Sequence, residues 1–177
     1  MSVSALDAPH VRSATPDDID ELLRLRAHLL EDASSVDLPY AVTSPHQSAS
    51  WREAYRGWLG KHLCEDGPVS VVVVPGTGRL RACATAVIDQ RAPSPACLSG
   101  RAGWVQSVVT DPRDRGCGLG TAVLHYLTAW LRARGVDEIV LQTTSAAADF
   151  YRRAGFLASG EDLLFKPLRT AGKAPLT

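Results

Sequence analysis

The chain has 177 residues, of which 45% are hydrophobic and 21% are charged, and its formal net charge is zero. The length fits one globular domain, and the charge balance argues against a nucleic-acid-binding protein, which usually has a basic excess. No apolar run approaches the roughly 20 residues of a membrane span, and the first residues lack the basic and apolar parts of a signal peptide, so we expect a cytoplasmic protein with no membrane partner.

The N-terminal part begins with a short predicted strand at 11–14. A helix should start at Thr15, because a threonine N-cap, a proline and acidic residues follow one another there, and it should end near Asp32. Aromatic and leucine residues at helical spacing predict a second helix over 51–63. The polar stretch 33–50 between the helices has little periodicity, which predicts a long loop. Loops of this length are often binding lids, and whether this one forms a lid is left open.

The rest of the chain alternates strands and helices. Elements are predicted at 69–74, 80–88, 102–110, 118–134, 139–142, 146–153, 157–160 and 163–168. The first two of these form a hairpin, and the helices are those at 118–134 and 146–153. The order β-α-α-β-β-β-α-β-α-β-β predicts a single α/β domain with a mixed sheet. Residues 1–10 and about 169–177 are expected to be loose tails.

A glycine-rich turn, Arg115-Gly116-Cys117-Gly118-Leu119-Gly120, joins a predicted strand to a predicted helix. Unpaired N–H groups and the helix dipole make such a turn an anion site, which indicates a phosphate. A P-loop is excluded because no lysine follows the glycines, and the spacing fits a dinucleotide fold poorly. A turn that binds nothing would not explain three glycines at a helix start, where each lowers helix stability by roughly 1 kcal/mol.

The turn resembles the (Q/R)-x-x-G-x-(G/A) signature of the GNAT superfamily of N-acetyltransferases. The Val-Val-Thr-Asp-Pro run at 108–112 is similar to the strand and turn that precede this signature. Ala147, Phe150-Tyr151 and Ala154-Gly155-Phe156 are similar to a later A-x-x-(F/L)-Y-x-x-x-G-F segment of the family. The resemblance is clear over residues 100–168.

The resemblance implies an α/β (α+β) fold with a mixed, mostly antiparallel central sheet of about 6–7 strands and about 4 helices. It implies that acetyl-CoA is the co-substrate and that the strands splay where it binds. The implied acetyl-CoA residues are Val108, Val109, Thr110, Arg115, Gly116, Cys117, Gly118, Leu119, Gly120, Thr121 and Thr144.

The family's catalytic positions are only partly matched. Tyr151 stands where relatives usually have the acid that protonates the departing thiolate. Gln106 stands where many relatives have a glutamate base, and glutamine takes no proton at useful pH. We expect Gln106 to hold a water or the acceptor, with the base left open. Thr144 replaces an asparagine often found at the start of the last helix.

In this superfamily the first two helices and their loop usually line the acceptor site. Residues 17–37 are strongly acidic. The helix dipole accounts for the acids of the first turn, but not for Glu31, Asp32 and Asp37, which could attract a cationic amine. Trp51, Tyr55 and Trp58 could line the same pocket, or could belong to the core.

The leading functional hypothesis is an N-acetyltransferase that acetylates a small primary amine such as an amino sugar, amino-acid derivative, polyamine or amine antibiotic. The alternatives are an acetyltransferase of protein N-termini or lysines, and a non-catalytic acyl-CoA-binding module. A homodimer is possible, and no nucleic-acid partner is expected. Free thiols and no metal are predicted from the absence of a metal-binding pattern among the cysteines Cys64, Cys83, Cys97 and Cys117.

Overall fold

The computed structural model describes residues 9–31, 39–63, 67–164, 166 and 168. The chain forms two compact units, residues 1–142 and residues 143–177. The first unit contains a five-stranded sheet in the order β1-β2-β3-β4-β5. Its strands are β1 (Arg12–Ser13), β2 (Val69–Gly76), β3 (Arg79–Gln90), β4 (Arg101–Thr110) and β5 (Glu138–Leu141), and its helices are α1 (Ile19–Leu30), α2 (Pro45–His62) and α3 (Leu119–Ala133).

The sheet is mixed and mostly antiparallel, as the sequence predicts. β1 to β4 pair antiparallel in chain order, and β5 pairs parallel to β4. The predicted hairpin is β2–β3, closed by Thr77 and Gly78, and Gly78 takes a positive φ of 69° that suits glycine. β5 is half-buried rather than buried because it ends the sheet and pairs only with β4.

One face of the sheet carries α1 and α2. Leu22 and Leu25 of α1 and Leu59 of α2 are fully buried in a cluster with the β-branched side chains of β2. The predicted start of α1 is confirmed with a small change: Pro16–Asp18 forms a 3₁₀ turn, and Asp18 accepts the Thr15 N–H at 2.8 Å. This face supports the cavity described below.

The opposite face carries α3, whose apolar stripe is buried against β2, β3 and β4. α3 approaches β4 so closely that a Cβ added to Gly103 would lie 2.7 Å from Leu131. The helix ends as predicted at Gly135, where Val136 N–H bonds to Leu131 C=O and Gly135 N–H bonds to Arg132 C=O.

β4 contains a bulge at Gln106. The register pairs Thr85 with Ser107 and Ala86 with Val105, so Gln106 has no partner on β3. An extra residue in one strand shifts the alternation of side chains between the two faces.

The shift is visible in the packing of β4. Before the bulge, Gly103 lies against α3. After the bulge, Val109 packs with Cys83 in the cluster under α1 and α2. Without a bulge, Gly103 and Val109 would face the same side of the sheet, because both have odd numbers. Odd-numbered residues of β4 therefore face α3 before the bulge and the α1–α2 cluster after it.

The second unit begins with a 3₁₀ turn at Ser145–Ala147 and contains α4 (Ala148–Arg153). Gly155 has a φ of 92° and follows the helix, as predicted. The strand predicted at 157–160 is not found, nor is one in the described part of 163–168, of which residues 165 and 167 lie outside the described residues. The sheet of the described residues has five strands and not the 6–7 expected. Gly160 interrupts this stretch with a φ of 77°, and the leucines around it are exposed.

The loop prediction for 33–50 is wrong at its C-terminal end. α2 begins at Pro45, and Ser44 Oγ accepts the Gln47 N–H at 3.2 Å as an N-cap. Residues 32–38 lie outside the described residues, as do most of the predicted tails. None of the helices in the described ranges is both long and apolar enough to cross a membrane.

Candidate active site

The second half of β4 loses its neighbour on one side. β5 pairs with β4 only from Ala102 to Val105, where it ends at Leu141. Within the described part of the first unit, no strand pairs with this side of residues 106–110. The pairing of β4 with β5 therefore ends just before the residues at which the family resemblance implies a splay.

Backbone direction selects the residues that face this gap. Asp111 N–H bonds to Arg81 C=O on β3, at 2.8 Å. Because backbone groups alternate sides along a strand, those of Val108 and Thr110 point away from β3. Val109 differs from the prediction, because alternation turns its backbone groups toward β3 and its side chain is buried in the α1–α2 core.

The predicted phosphate turn leads directly into α3. Gly116 and Gly118 have φ angles of 79° and 75°, and a Cβ added to either would have no atom within 4 Å. Gly118 is the N-cap, so the N–H groups of Leu119, Gly120 and Thr121 begin the helix without intrahelical partners. No side chain caps these groups, and the first turn of α3 has no acidic residue. The turn is thus built to receive an anion, and it fits a phosphate group.

The side chains of the turn divide into two sets. Arg115, Cys117 and Thr121 are exposed, whereas the side chain of Leu119, the first residue of α3, is buried. Leu119 can therefore contribute only its N–H to an anion, while Arg115 and Thr121 can contribute side-chain donors.

A buried carboxylate, which sequence reasoning missed, fixes the start of the turn. Asp111 is 1% exposed and accepts from Arg24 Nη1 at 2.7 Å and from Arg113 N–H at 3.0 Å. Arg79 Nη1 lies 3.2 Å from the same carboxylate. Burial would raise the pKa of Asp111, but hydrogen bonds from Arg113 and Arg24 outweigh it and lower that pKa to about 2.

Asp114 extends this ion-pair network by one residue. It accepts from Arg79 Nη1 at 2.6 Å and from Arg81 Nε at 3.0 Å, and these hydrogen bonds lower its pKa despite burial. Arg24 is also held by Glu21 of its own helix. The network thus joins α1, the β2–β3 hairpin and the chain just before the glycine turn.

A cavity of about 340 Å³ opens between the two helices and β4. It is lined by Arg26, Leu30, Trp51, Ala54, Tyr55, Trp58 and Gln106. Four predicted residues are therefore brought together, namely Gln106, Trp51, Tyr55 and Trp58. The bulge is the part of β4 that reaches the cavity. Burial raises the pKa of Tyr55 to about 12, with Thr85 and Arg26 beside its hydroxyl. Tyr55 is therefore not a base at neutral pH.

The model of the acetyltransferase (GNAT) family matches residues 27–156, which is more than half of the chain. The chain belongs to the GNAT family. Acetyl-CoA is the co-substrate of that family, and the open glycine turn and the free side of β4 fit it.

Several curated proteins are similar to parts of this GNAT chain. Glucosamine 6-phosphate N-acetyltransferase 1 of Oryza sativa subsp. japonica is 38% identical over 95 residues, which are 54% of this chain and 56% of that protein. Mycothiol acetyltransferase of Thermobispora bispora is 36% identical over 70 residues, 38% of this chain and 24% of that protein. The chain spans about half, or less, of the length of these relatives.

Solved structures resemble the fold over most of the chain. A GCN5-related N-acetyltransferase from Ralstonia eutropha JMP134 has a TM-score of 0.72 at 22% identity, covering 90% of this chain and 97% of that one. A predicted acetyltransferase from Clostridium acetobutylicum, solved with acetyl-CoA, has a TM-score of 0.67 at 19% identity, covering 89% of this chain and 95% of that one. At these identities the likeness establishes the fold.

The acidic residues predicted for the acceptor have different surroundings from those expected. Glu31 accepts from Ser48 Oγ at 2.6 Å, Trp51 Nε1 at 2.9 Å and Arg52 Nη2 at 2.9 Å. Burial would raise the pKa of Glu31, but these hydrogen bonds outweigh it and lower that pKa. Glu31 therefore joins α1 to α2, and its charge is balanced by Arg52. Asp32 and Asp37 lie outside the described residues.

The remaining predicted residues belong to the second unit. Tyr151 is half-buried between Phe150 and Phe156, with ring centroids at 4.8 and 5.8 Å in edge-on arrangements. Thr144 stands at the N-cap position, but its side chain makes no capping hydrogen bond, and only its carbonyl accepts from Ala147 N–H.

Cys83, Cys97 and Cys117 are free thiols, as predicted, while Cys64 lies outside the described residues. Among the residues described, no three histidine, cysteine or acidic side chains cluster closely enough to hold a metal ion.

Proposed function

We propose that this GNAT protein is an acetyl-CoA-dependent N-acetyltransferase that acetylates a primary amine of a small molecule. The observation that carries the proposal is the path of β4. The free half of this strand leads at one end into the open glycine turn and begins at the other end with Gln106 in the cavity wall. One short strand thus links a site for the acyl donor to a site for the acceptor.

The donor site rests on backbone groups. The N–H groups at the start of α3 receive the pyrophosphate, with the Arg115 guanidinium beside it. The free backbone groups of Val108 and Thr110 pair with the pantetheine arm as a strand would. When bound, acetyl-CoA supplies a thioester that an amine can attack.

The acceptor must lose a proton before it reacts. An alkylammonium group has a pKa near ~10.4, so almost all of it is protonated at neutral pH. Gln106 cannot take this proton, but its amide can orient the amine or a water at the cavity wall. The proton then leaves through water, and Tyr151 protonates the departing sulfur.

The relatives support the same reaction. The rice and Thermobispora proteins are named for acetyl transfer to glucosamine 6-phosphate and for mycothiol acetylation. Both names describe small-molecule acetyltransferases, which favours a small acceptor over a protein N-terminus or lysine. A cavity of about 340 Å³ lies at the lower end of the range for small-ligand sites.

The proposal is tested in two steps on the purified chain. Calorimetry with acetyl-CoA should give saturable binding, and a thiol-release screen over small amines and short peptides should find at least one small amine that accelerates release. Binding without release for any acceptor would favour the non-catalytic module. Release with peptides alone would favour the protein-acetylating alternative, and absence of saturable binding would contradict all three.

Replacing Tyr151 by Phe tests the proposed acid. We expect acetyl transfer to fall by about 10²-fold, because general acid catalysis is lost, with little change in the Kd of acetyl-CoA. Tyr126→Phe on the exposed side of α3 is the matched control and should retain full activity. Equal activity of the two variants would remove Tyr151 from the mechanism.

A further inference from the structure

Arg26 is the one charged side chain in the cavity wall of the described residues, and no carboxylate there forms an ion pair with it. It is half-buried, and its guanidinium carbon lies 4.6 Å from the centre of the Tyr55 ring. A cation placed over an aromatic face is held in position, but it keeps hydrogen-bond donors that the ring cannot satisfy.

The contrast with Arg24, two residues earlier on α1, is informative. Arg24 donates to Glu21, to Asp111 and to the Leu80 carbonyl. Residues two apart point to different sides of a helix, so α1 directs one arginine into the ion-pair network and the other to the cavity. Partly buried arginines normally pair with carboxylates, but no carboxylate of the described residues pairs with Arg26, whose side chain lies beside the Tyr55 hydroxyl.

Among the residues that the structure describes, the rest of the cavity wall has no negative side chain. Its other lining residues are aliphatic, aromatic or, in Gln106, an amide. Glu31 lies nearby on α1 but is already balanced by Arg52. A ligand with several positive charges would meet an uncompensated guanidinium here, whereas an anionic group would form charge-assisted hydrogen bonds with it.

We infer that the acceptor is an amine that also carries an anionic group, and that Arg26 binds this group while the aromatic walls contact its apolar body. This rests on the proposed function, which it narrows: amino-acid derivatives and phosphorylated amino sugars fit, and polyamines do not. A carboxylate and a phosphate would use the same donors, so the experiment treats them as separate arms.

The test measures binding of matched amines to the chain saturated with CoA, by calorimetry. One pair is tryptophan and tryptamine, which differ by a carboxylate, and the other is glucosamine 6-phosphate and glucosamine, which differ by a phosphate. Spermidine is the polycation. We expect the anionic member of at least one pair to bind about 10- to 100-fold more tightly than its partner, with spermidine weakest.

The variants assign this preference to Arg26. Arg26→Gln should reduce the ratio within the preferred pair to about 1 while leaving the affinity of the member without the anionic group within about twofold. Arg26→Lys should restore part of the ratio. Arg56→Gln is the matched control, because Arg56 lies on the exposed side of α2 and pairs with the exposed Asp20. Thermal unfolding verifies that each variant is folded.

Several results would overturn the inference. These are equal binding within both pairs, tightest binding of spermidine, no binding of any of the amines, or an equal loss for both members of a pair in Arg26→Gln. Thiol release from acetyl-CoA with the same amines separates the two proposals. Acetyl transfer without an anionic preference would reject only the role of Arg26, and anionic preference without transfer would reject only the enzymatic function.

Discussion

Gln106 is the residue at which the two parts of the proposed site meet. Its side chain can donate and accept hydrogen bonds but cannot act as a base. Its position at a bulge is typical of residues that a strand directs into a functional site. The role proposed for Gln106 is therefore to position the amine or a water, and in this proposal another group or water removes the proton.

Replacing Gln106 by Ala should lower kcat/KM for the acceptor by about tenfold, since one or two hydrogen bonds to the amine or its water are lost. The Kd of acetyl-CoA should be unchanged, because its phosphate site lies at the other end of β4's free half. Steady-state kinetics and calorimetry measure the two quantities. Gln90→Ala at the exposed end of β3 is the control, and an equal effect of both variants would contradict the role of Gln106.

Replacing Gly118 by Ala adds one methyl group to the glycine turn and tests whether the turn needs a glycine there. With φ at 75°, an alanine there should reduce the free energy of unfolding by about 1 kcal/mol. It should also weaken acetyl-CoA binding by about tenfold or more, because Cβ separates the phosphate from the N–H groups.

The matched control is Gly57→Ala in the exposed interior of α2. An added Cβ meets nothing within 4 Å there, and the φ of Gly57 is not positive. Alanine should therefore stabilise the helix by about 1 kcal/mol and leave acetyl-CoA binding unchanged. Opposite stability changes in the two variants, measured by urea denaturation, are the expected signature.

At the scale of elements, the ion-pair network ties the glycine turn to α1 and to the β2–β3 hairpin. Asp111→Asn should lower the free energy of unfolding by about 2 to 3 kcal/mol at pH 7, because Arg24 and Arg79 lose a buried charged partner. The exposed Asp149, which pairs with Arg152 on α4, is the control, and Asp149→Asn should have no measurable effect.

The same network predicts a pH dependence. The pKa of Asp111 is about 2 in the folded chain and lies below its ordinary value of 3.8, so its stabilising contribution is present above that ordinary value. This contribution is lost as the pH falls from 3.8 toward 2. The difference between the original chain and Asp111→Asn, measured by denaturation from pH 7 to pH 2, should therefore shrink over that interval, and a constant difference would contradict it.

Elements with a local signal were predicted well from the sequence. α3 follows from its leucine spacing and closing Gly135, and the β2–β3 hairpin follows from two β-branched runs around Gly78. The first turns of α2 were missed because residues 46–50 are polar and show no apolar period, although Ser44 and Pro45 form a start signal. The strands expected after Gly155 are not found among the described residues, where the leucines are exposed and no neighbouring strand pairs with them.

The features of the site that depend on distant residues were not predictable in this way. Arg24 and Asp111 are separated by 87 positions, so no local pattern indicates their ion pair. The place of Arg26 in the cavity wall depends on α2 lying beside α1. The sequence indicates Gln106 through its missing charge and not through its bulge. The glycine turn, by contrast, is contiguous in sequence and was found with its direction into α3.

For the molecule as a whole, binding of acetyl-CoA should be visible as stabilisation. A ligand at 100 times its Kd adds about 2.7 kcal/mol to folding, which for a chain of this size raises Tm by roughly 5–10 °C. Differential scanning fluorimetry with acetyl-CoA measures this. Arg26→Gln should keep the shift and Gly118→Ala should reduce it, and the reverse order would contradict the separation of donor and acceptor sites.

Because of the bulge, the fold depends on the number of residues in β4 as well as on their types. Gly103 and Val109 reach opposite cores only because one residue without a partner lies between them. Deleting Gln106 would restore an unbroken ladder and bring the two residues into the same phase. Either the glycine or the valine would then face the wrong layer. The fold should therefore tolerate substitutions at position 106. Deletion of this single residue would instead turn the side chains on one part of β4 to the opposite face of the sheet.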